Sequence, residues 1–451
     1  MADLEPLYTA EEMRAAEAGH DVGELMERAG RSVAEFILDE YGSDESITVV
    51  CGPGNNGGDG RVAAEALRAA DCDVRVVEAR PEDEPKNLGS PGLIVDALFG
   101  TGFSGEPRPA AARLIEQINE ADVDVVAIDV PSGIDASTGE VAGAAVDAAW
   151  TVCFHREKVG LRVAPGSFYA GDVELVDIGL DDERPTAHAL PTPELLERVP
   201  LRAPRDTKYS AGSVLVVGGS PGLTGAACLA ARAAFRADAG YVTVAAPQES
   251  LPVLEQQLLE AVKRPLDDVW DAVGRSRALA LGPGLGRSAD AKTLVRRLLE
   301  ETDLPAVVDA DALHELEPFS RAAPAVLTPH SGELARLLGE EAAWVDAHRL
   351  EAARRAVDAF RCVVVLKGDG TIVAAPDEPT LVCPGFPSLA TAGTGDVLTG
   401  IVAAFLAKGL EARIAAAAGV VAHTEAAAEA PQRAGLVASD VIEMLPYVLG
   451  T

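Results

Sequence analysis

The chain has 451 residues, of which 48% are hydrophobic and only 4% aromatic, and this length predicts two or three separately packed domains. It carries 71 acidic against 38 basic residues, a net charge of −33, which argues against a nucleic-acid or anionic-membrane partner. No signal peptide is recognisable and no apolar run reaches the roughly 18 residues of a membrane-spanning helix, so we expect a cytoplasmic protein.

The first 180 residues alternate between predicted helices and strands. The segment TAEE, with Thr9 and Glu12 as a capping box, predicts one helix, and ELMERAGRSVAEFILDEY has the apolar spacing of a second. The elements that follow are the strand ITVVCG, a helix after Asp59, the strands VRVVEA and LIVDALFG, a helix near 110–120, and the strands VDVVAIDVPSG and WTVCF. Continuously apolar strands separated by helices indicate a parallel sheet covered on both faces. Ligands of such sheets bind beyond the carboxyl ends of the strands.

The glycine-rich stretch CGPGNNGGDG follows the strand ITVV. Its Gly52, Gly54 and Gly57 match the G-x-G-x-x-G fingerprint of dinucleotide-binding proteins, and Glu78 lies at the distance expected of a residue that binds a ribose. A plain cofactor fingerprint does not require the polar residues that also occur here, namely Asn55, Asn56 and Asp59. Such side chains favour turns in any case, so the loop alone leaves a structural turn and a phosphate site both open.

Polar side chains also mark two further strand ends. Asp96 lies in VDALFG, and Asp129 and Ser132 lie in IDVPSG. An aspartate at such a place can be a simple helix cap. Three polar strand ends that converge on one sheet edge instead favour a hard-cation site or an acid–base site.

The motifs NNGGDG, DALFGTG and DVPSG together resemble the NAD(P)H-hydrate epimerase family, over residues 7–180. That family interconverts the R and S forms of hydrated NADH and NADPH (NADHX and NADPHX), so the resemblance implies that a nicotinamide nucleotide binds as the substrate. It implies a potassium ion at Asn56, Asp96 and Ser132, whose oxygen atoms suit a hard ion, and Asp129 as the catalytic acid/base. The implied substrate-binding residues are Asn55, Asn56, Gly57, Gly58, Asp59, Gly100, Thr101, Gly102, Phe103, Ser104, Gly105, Glu106 and Asp129.

Residues 181–206 contain five prolines among charged residues, and they predict a linker between a domain of residues 1–180 and a domain of residues 207–451. Within the linker, PELLER is expected to form a short helix. The second domain again alternates strands and helices, and its predicted strands begin the segments SVLVVGGS, YVTVAAP, LALGPGLG, PAVVDADAL, AVLTPHSGE and VVVLKGDGT. No short period recurs, which excludes a solenoid.

The stretch PSLATAGTGDVLTGIVAAF is the most specific signal in the chain. Gly393–Gly395 can turn into a helix start, whose N–H groups favour developing negative charge. Asp396 would then lie in the first helical turn, either as a cap or as a base for a substrate hydroxyl. The turn KGDGT, Lys367–Thr371, offers a phosphate cradle that differs from a Walker loop in its spacing.

The motifs GTGD, KGDGT, VVDADAL and LTPHSGE resemble the ribokinase-like ADP-dependent NAD(P)H-hydrate dehydratase family, from about Asp206 to the C-terminus. The segment DTKYSAGSVLVVGGSPGLTGAA also fits, although Thr207 stands where the family often has histidine. In that family ADP activates the hydroxyl of the hydrated ring, which is eliminated to give NAD(P)H, AMP and phosphate. The resemblance implies Asp396 as the base, with ADP and magnesium. The implied nucleotide-binding residues are Lys367, Gly368, Asp369, Gly370, Thr371 and Gly395; the implied substrate-binding residues are Ala226, Gly284 or Gly286, His330 and Asp396.

His330 also has a structural interpretation, because a histidine after a proline can simply satisfy a turn. The other six histidines have no ligand spacing, which argues against transition-metal catalysis. The six cysteines are scattered without a C-x-x-C pair and are expected to be free thiols in a reducing compartment.

The resemblances predict an α/β protein of two domains: an N-terminal Rossmann-like three-layer sandwich and a C-terminal ribokinase-like α/β domain. Two domains that resemble consecutive steps on one metabolite favour a nucleotide-repair enzyme. One alternative is a small-molecule kinase, since GTGD also occurs in hydroxyethylthiazole kinases. Another is a non-enzymatic first domain used for binding or assembly.

The acidic residues are spread along the whole chain, which indicates a solvated acidic surface. Self-repulsion of such a surface is tolerable in concentrated salt, where screening lengths fall to roughly 3 Å at 1 M. We therefore expect a halophilic protein. The dehydratase resemblance also implies a homo-oligomer.

Overall fold

The computed structural model describes residues 3–79, 87–181, 184–432 and 434–450. These residues separate into two compact units, Pro6–His188 and Ala189–Thr451 with Met1–Glu5. The segment predicted as a linker contains a strand at His188–Pro191 and a 3-10 helix at Pro193–Arg198, which is the segment PELLER. No helix in the described part of the chain is long and apolar enough to cross a membrane.

The N-terminal unit is built on six parallel strands. The chain begins with β1 (Leu4–Leu7), a strand of the larger sheet described below. It continues, in chain order, with α1 (Ala10–Glu17), α2 (Val22–Tyr41), β2 (Ser46–Cys51), α3 (Asn55–Ala69), β3 (Asp73–Glu78), β4 (Leu93–Ala97), α4 (Pro109–Asn119), β5 (Asp124–Ile128), β6 (Trp150–Phe154) and β7 (Asp172–Val176). The sheet order is β3-β2-β4-β5-β6-β7. The order reverses between β2 and β4, and such a reversal opens a crevice at the carboxyl ends of the two strands.

The predicted helices of this unit are present, with one correction. Thr9 and Glu12 form the expected capping box of α1. The helix predicted after Asp59 begins earlier, at Asn55. A β-carbon on Gly57 would lie 1.9 Å from the carbonyl oxygen of Gly52, so only glycine allows the first turn of α3 to pack this closely on the end of β2. The polar side chains of NNGGD therefore lie on the first helical turn instead of in a loop.

The C-terminal unit contains a larger sheet in the order β1-β8-β17-β16-β15-β14-β13-β12-β9-β10-β11. The neighbouring strands β11-β10, β10-β9, β9-β12, β12-β13, β13-β14 and β14-β15 pair in parallel. The pairs β15-β16 and β16-β17 are antiparallel. The strands are β8 (His188–Pro191), β9 (Ser213–Val217), β10 (Tyr241–Ala246), β11 (Val262–Pro265), β12 (Ala278–Leu281), β13 (Ala306–Val308), β14 (Ala325–Leu327), β15 (Val363–Leu366), β16 (Thr371–Ala374) and β17 (Thr380–Cys383). Here the strand order reverses between β9 and β12.

The helices of this unit are α5 (Thr224–Arg236), α6 (Leu251–Gln257), α7 (Val269–Val273), α8 (Ala289–Glu300), α9 (Ser331–Leu338), α10 (Ala342–Ala347), α11 (Arg349–Phe360), α12 (Thr394–Ala407), α13 (Ala412–Ala428) and α14 (Ala438–Leu449). Helix α12 is buried along nearly its whole length and packs on α5 and α13. This packing fixes the first turn of α12, which carries GTGD. All six cysteines are buried and free, as the sequence predicts.

Candidate active sites

The crevice of the N-terminal unit collects the polar side chains predicted from its strand ends. Asp96, near the end of β4, is fully buried, and its two carboxylate oxygens accept hydrogen bonds from the hydroxyl and the backbone N–H of Ser132, at 2.7 and 2.8 Å. The Ser132 hydroxyl also accepts from the N–H of Phe99 at 2.8 Å. Burial raises the pKa of Asp96, while these hydrogen bonds oppose the rise.

Asn56 lies beside this network with one unpaired oxygen. Its amide nitrogen donates to the carbonyl of Phe99 at 2.7 Å, but its buried Oδ1 has no hydrogen-bond partner among the described residues. Gly100 packs directly against the Asn56 side chain. A buried amide oxygen without a donor is costly unless a donor or a cation completes it.

Asp129 follows the last residue of β5 in a left-handed backbone conformation, with φ of +67°. Such a conformation is strained for an aspartate and is often found at functional sites. Its Oδ1 accepts hydrogen bonds from the Lys158 ammonium and from the N–H of Phe154. Lys158 is fully buried and also donates to the Phe154 carbonyl at 2.8 Å.

Two more carboxylic acids lie in the electrostatic field of Asp129. The pKa of Asp59 is raised to about 8, first by burial and then by the charges of Asp129 and Glu17. The pKa of Glu17 is raised by burial and by Asp129, against an opposing effect of Lys158. The site therefore holds a carboxyl group that is protonated at neutral pH beside a carboxylate paired with a cation, which is a combination suited to acid–base catalysis.

The other predicted substrate residues of this unit differ in exposure. Asn55 is exposed at the helix start, and Gly58 packs against Met26. The Phe103 ring stacks on Phe99 with 4.7 Å between centroids. The remaining loop residues are half-buried or exposed: Thr101, Gly102, Ser104, Gly105 and Glu106. Glu78, the residue placed for a ribose by the fingerprint, is instead bound by the Arg61 guanidinium.

In the C-terminal unit, two glycine-rich loops meet at the reversal between β9 and β12. The N–H of Ser220 donates to the carbonyl of Gly284 at 2.7 Å, and its hydroxyl donates to the carbonyl of Leu285 at 2.6 Å. The N–H of Gly286 donates to Asp311 at 2.9 Å. Ala226 lies in the first turn of α5, after the first of these loops.

A cavity of about 340 Å³ lies beside the start of α12. Six of the predicted residues line it: His330, Lys367, Gly368, Asp369, Thr371 and Gly395. Its other walls are largely apolar and include Phe386, Leu389, Leu398 and Val420. A pocket with a polar end and an apolar end suits a nucleotide, whose phosphates and base differ in the same way.

Asp396 is electrostatically coupled to an ion pair between the half-buried Lys367 and the buried Asp309. The Lys367 ammonium donates to Asp309 at 2.8 Å, and the other oxygen of Asp309 accepts from the hydroxyl of Thr399 at 2.7 Å. The pKa of Asp396 is raised to about 7 by burial and by Asp309, while Lys367 opposes the rise. A carboxylate whose pKa lies near neutrality is an efficient general base.

Arg349, which is almost fully buried, forms hydrogen bonds with the backbone of the turn KGDGT. Its guanidinium donates to the carbonyls of Leu366, Lys367 and Gly370 at 3.3 to 3.5 Å. A β-carbon on Gly368 would lie 2.8 Å from two guanidinium nitrogens. Arg349 therefore fixes the shape of the turn and places a positive charge behind it.

Two histidines lie at this cavity. His330 is exposed and caps α9, because its Nδ1 accepts from the N–H of Gly332 at 3.0 Å, so its structural interpretation also holds. His423 is buried in α13, and burial lowers its pKa to about 4. The sequence pattern predicts no role for it.

Sequence reasoning also missed Lys158, Asp309 and Arg349. The role of each of these residues appears only in the folded structure, where it contacts a residue that is distant in the sequence. The chain has few lysines, and this was the one sequence feature that could have drawn attention to Lys158. Asp309 is the first aspartate of the motif VVDADAL, and the motif by itself indicates no role for it.

Comparison with known proteins follows this division of the chain. A family model described as NAD(P)H-hydrate dehydratase matches residues 214–446, and a model described as YjeF-related protein N-terminus matches residues 22–89 and 77–160. The bifunctional NAD(P)H-hydrate repair enzyme of Moorella thermoacetica is 39% identical, covering 94% of this chain and 92% of the relative. The chain belongs to the family of bifunctional NAD(P)H-hydrate repair enzymes.

Other family members are similar over comparable lengths. The repair enzyme of Salinibacter ruber is 37% identical, covering 98% of this chain and 96% of its own. Among solved structures, the ADP/ATP-dependent NAD(P)H-hydrate dehydratase of Bacillus subtilis, co-crystallised with ATP and Mg²⁺, is 30% identical with a TM-score of 0.53. It covers 57% of this chain and 96% of its own length, and it supports the ribokinase-like fold expected for the second domain.

Proposed function

We propose that this chain repairs hydrated nicotinamide nucleotides in two steps. The N-terminal unit interconverts the R and S forms of NADHX and NADPHX. The C-terminal unit dehydrates the S form to NADH or NADPH, converting ADP to AMP and phosphate. We assign the epimerase to residues 1–180 and the dehydratase to residues 207–451, joined by residues 181–206.

The observation that carries the dehydratase assignment is the position of Asp396. It lies in the first turn of α12, directly after Gly395, which lines the cavity, and it is electrostatically coupled to Lys367 and Asp309. We propose that Asp396 takes the proton of the substrate hydroxyl as that oxygen attacks the terminal phosphoryl group of ADP. AMP departs, the bond between ring carbon and phosphorylated oxygen then breaks, and loss of a neighbouring ring proton restores the double bond.

The roles of the remaining predicted residues follow from their places. We propose that Arg349 holds the KGDGT turn in shape so that its backbone N–H groups receive the phosphates of ADP. Ala226, Gly284, Gly286 and His330 would contact the hydrated nucleotide. We propose that magnesium enters with ADP, since no cluster of three potential ligands occurs in the described ranges. It would neutralise phosphate charge.

The proposed function is tested by mixing hydrated NADH with ADP and the protein. We expect the near-ultraviolet absorbance of reduced nicotinamide to return, with AMP and phosphate formed in equal amounts. A stable phosphorylated product, with no return of absorbance, would identify the protein as a small-molecule kinase instead.

We propose a potassium ion for the N-terminal unit, held by Asn56, Asp96 and Ser132. The unpaired buried Oδ1 of Asn56 supports this site, because an oxygen donor without a partner suits a hard cation. The ion would neutralise the buried carboxylate and anchor the loop that follows β4. Replacing potassium by tetramethylammonium at constant ionic strength is expected to lower epimerisation about 10–100-fold while leaving dehydration of the S form unchanged. Equal epimerisation in both salts would remove the ion from the proposal.

We also propose that the protein works in a salt-rich cytoplasm and assembles as a homo-oligomer. The net charge of −33 supports the first point, because self-repulsion falls as salt screens it. We expect the thermal midpoint to rise from low to molar KCl, and also with NaCl, because screening does not depend on the cation. A thermal midpoint that does not change with salt would contradict a halophilic origin. Analytical sedimentation at the same salt concentrations measures whether the protein is a homo-oligomer.

A further inference from the structure

A lysine that no motif singled out is built into the epimerase site. Lys158 has no exposed surface, which is rare for a lysine unless it is paired. Its ammonium donates to Oδ1 of Asp129 and to the carbonyl of Phe154, and it lies 3.5 Å from the sulfur of Cys153. The residues on either side of Lys158 form hydrogen bonds with the backbone of Tyr8. The N–H of Tyr8 donates to the carbonyl of Glu157 at 2.8 Å, and the carbonyl of Tyr8 accepts from the N–H of Val159 at 3.0 Å.

The hydrogen bonds to Asp129 are distributed unequally. Oδ1 accepts from Lys158 and from the N–H of Phe154, with the Cys153 thiol 4.0 Å away. Oδ2 accepts no hydrogen bond from the described residues. One oxygen is thus held by the protein, while the other has no protein donor among the described residues.

We propose that Lys158 is the positioning residue for epimerisation: its ammonium holds Oδ1 of Asp129 and stabilises the carboxylate form, so that Oδ2 can exchange a proton with the substrate. This proposal rests on the proposed epimerase function. Because Lys158 is completely enclosed, it acts through Asp129 and does not touch the substrate.

The surrounding ionisable groups explain why a cation is needed there. Asp59 on α3 and Glu17 on α1 are both electrostatically coupled to Asp129, and Lys158 supplies a positive charge among these acidic groups. Burial raises the pKa of the Cys153 thiol to about 12, so that thiol supplies no charge at neutral pH. Burial opposes the charge of Lys158, but the charge of Asp129 outweighs it and raises the pKa of the ammonium, which keeps it charged.

The test compares Lys158→Met, Lys158→Arg and a control, Lys292→Met, which removes a half-exposed lysine from the C-terminal unit. Epimerisation is followed from pH 5 to 9, with dehydration of the S form as an internal measure of protein quality. We expect Lys158→Met to lower kcat for epimerisation about 100-fold, to change KM less than about threefold, and to move the acidic limb of the pH profile upward by about one unit. The control is expected to match the wild type.

Lys158→Arg retains the charge and is expected to leave the acidic limb in place. If Lys158→Met does not fold, Lys158→Gln is measured in its place, with the same expected loss of kcat and the same shift of the acidic limb. If Lys158 had only a structural role, Lys158→Met would lower the thermal midpoint and leave the pH profile unchanged. That result would overturn the proposal, as would a shift of the acidic limb in Lys158→Arg. A wild type that dehydrates but does not epimerise would instead overturn the proposed function of this unit.

Discussion

Asp396→Asn is expected to lower ADP-dependent dehydration by about 10²–10⁴-fold, because asparagine keeps the shape of the side chain but cannot accept the proton. In the wild type the base must be ionised, and the pKa of Asp396 is about 7. The dehydration rate is therefore expected to rise with pH up to about 7 and then to level off. Measuring return of reduced-nicotinamide absorbance on the S form from pH 5 to 9 tests both points.

The same substitution should make the protein more stable at neutral pH. A raised pKa means that the folded protein keeps a proton that the unfolded chain releases, so this group lowers the stability as the pH rises from about 4 to 7. Asp396→Asn removes that loss, and its thermal midpoint should exceed that of the wild type above pH 7. Asp290→Asn is the matched control, since Asp290 is an exposed aspartate in the first turn of α8. Retained dehydration in Asp396→Asn would contradict the assignment of the base.

Asp129→Asn is expected to abolish epimerisation while leaving dehydration of the S form at the wild-type rate. Loss of the carboxylate removes the proton acceptor and also leaves Lys158 buried without its counter-charge. Breaking a buried ion pair from one side costs about 3–5 kcal/mol. The thermal midpoint is therefore expected to fall as well, and stability and rate need separate measurement.

The double variant Asp129→Asn with Lys158→Met separates the two effects. It removes both charges and should recover much of the lost stability without recovering epimerisation. Asp172→Asn, an exposed aspartate at the start of β7, is the control for the N-terminal unit. Epimerisation that survives in Asp129→Asn, with the R form still converted at the wild-type rate, would remove the acid/base assignment.

The sequence could predict the parts of both sites that depend on local order. Apolar strands ending in polar residues placed Asp96, Asp129 and Ser132 at one sheet edge, because parallel strands bring their carboxyl ends together. The start of α3 was misplaced, because the glycines that suggested a turn are required inside the helix for close packing at Gly57.

The residues that the sequence could not provide act through contacts between distant segments. Asp309 reaches Lys367 across 58 positions and Thr399 across 90. Arg349 binds carbonyls of a turn that is 17 to 21 residues away. Residue propensities and motif spacing carry no information on such partners. Only the tertiary structure therefore shows that the buried guanidinium of Arg349 binds the proposed phosphate cradle.

The division of labour between the two units is tested most directly by mixing two inactive variants. Pure R-form NADHX is incubated with ADP and with Asp129→Asn, with Asp396→Asn, or with an equimolar mixture of both. We expect little return of reduced-nicotinamide absorbance with either variant alone and rapid, ADP-dependent return with the mixture. Rapid conversion by a single variant, or failure of the mixture, would contradict the assignment of one step to each unit.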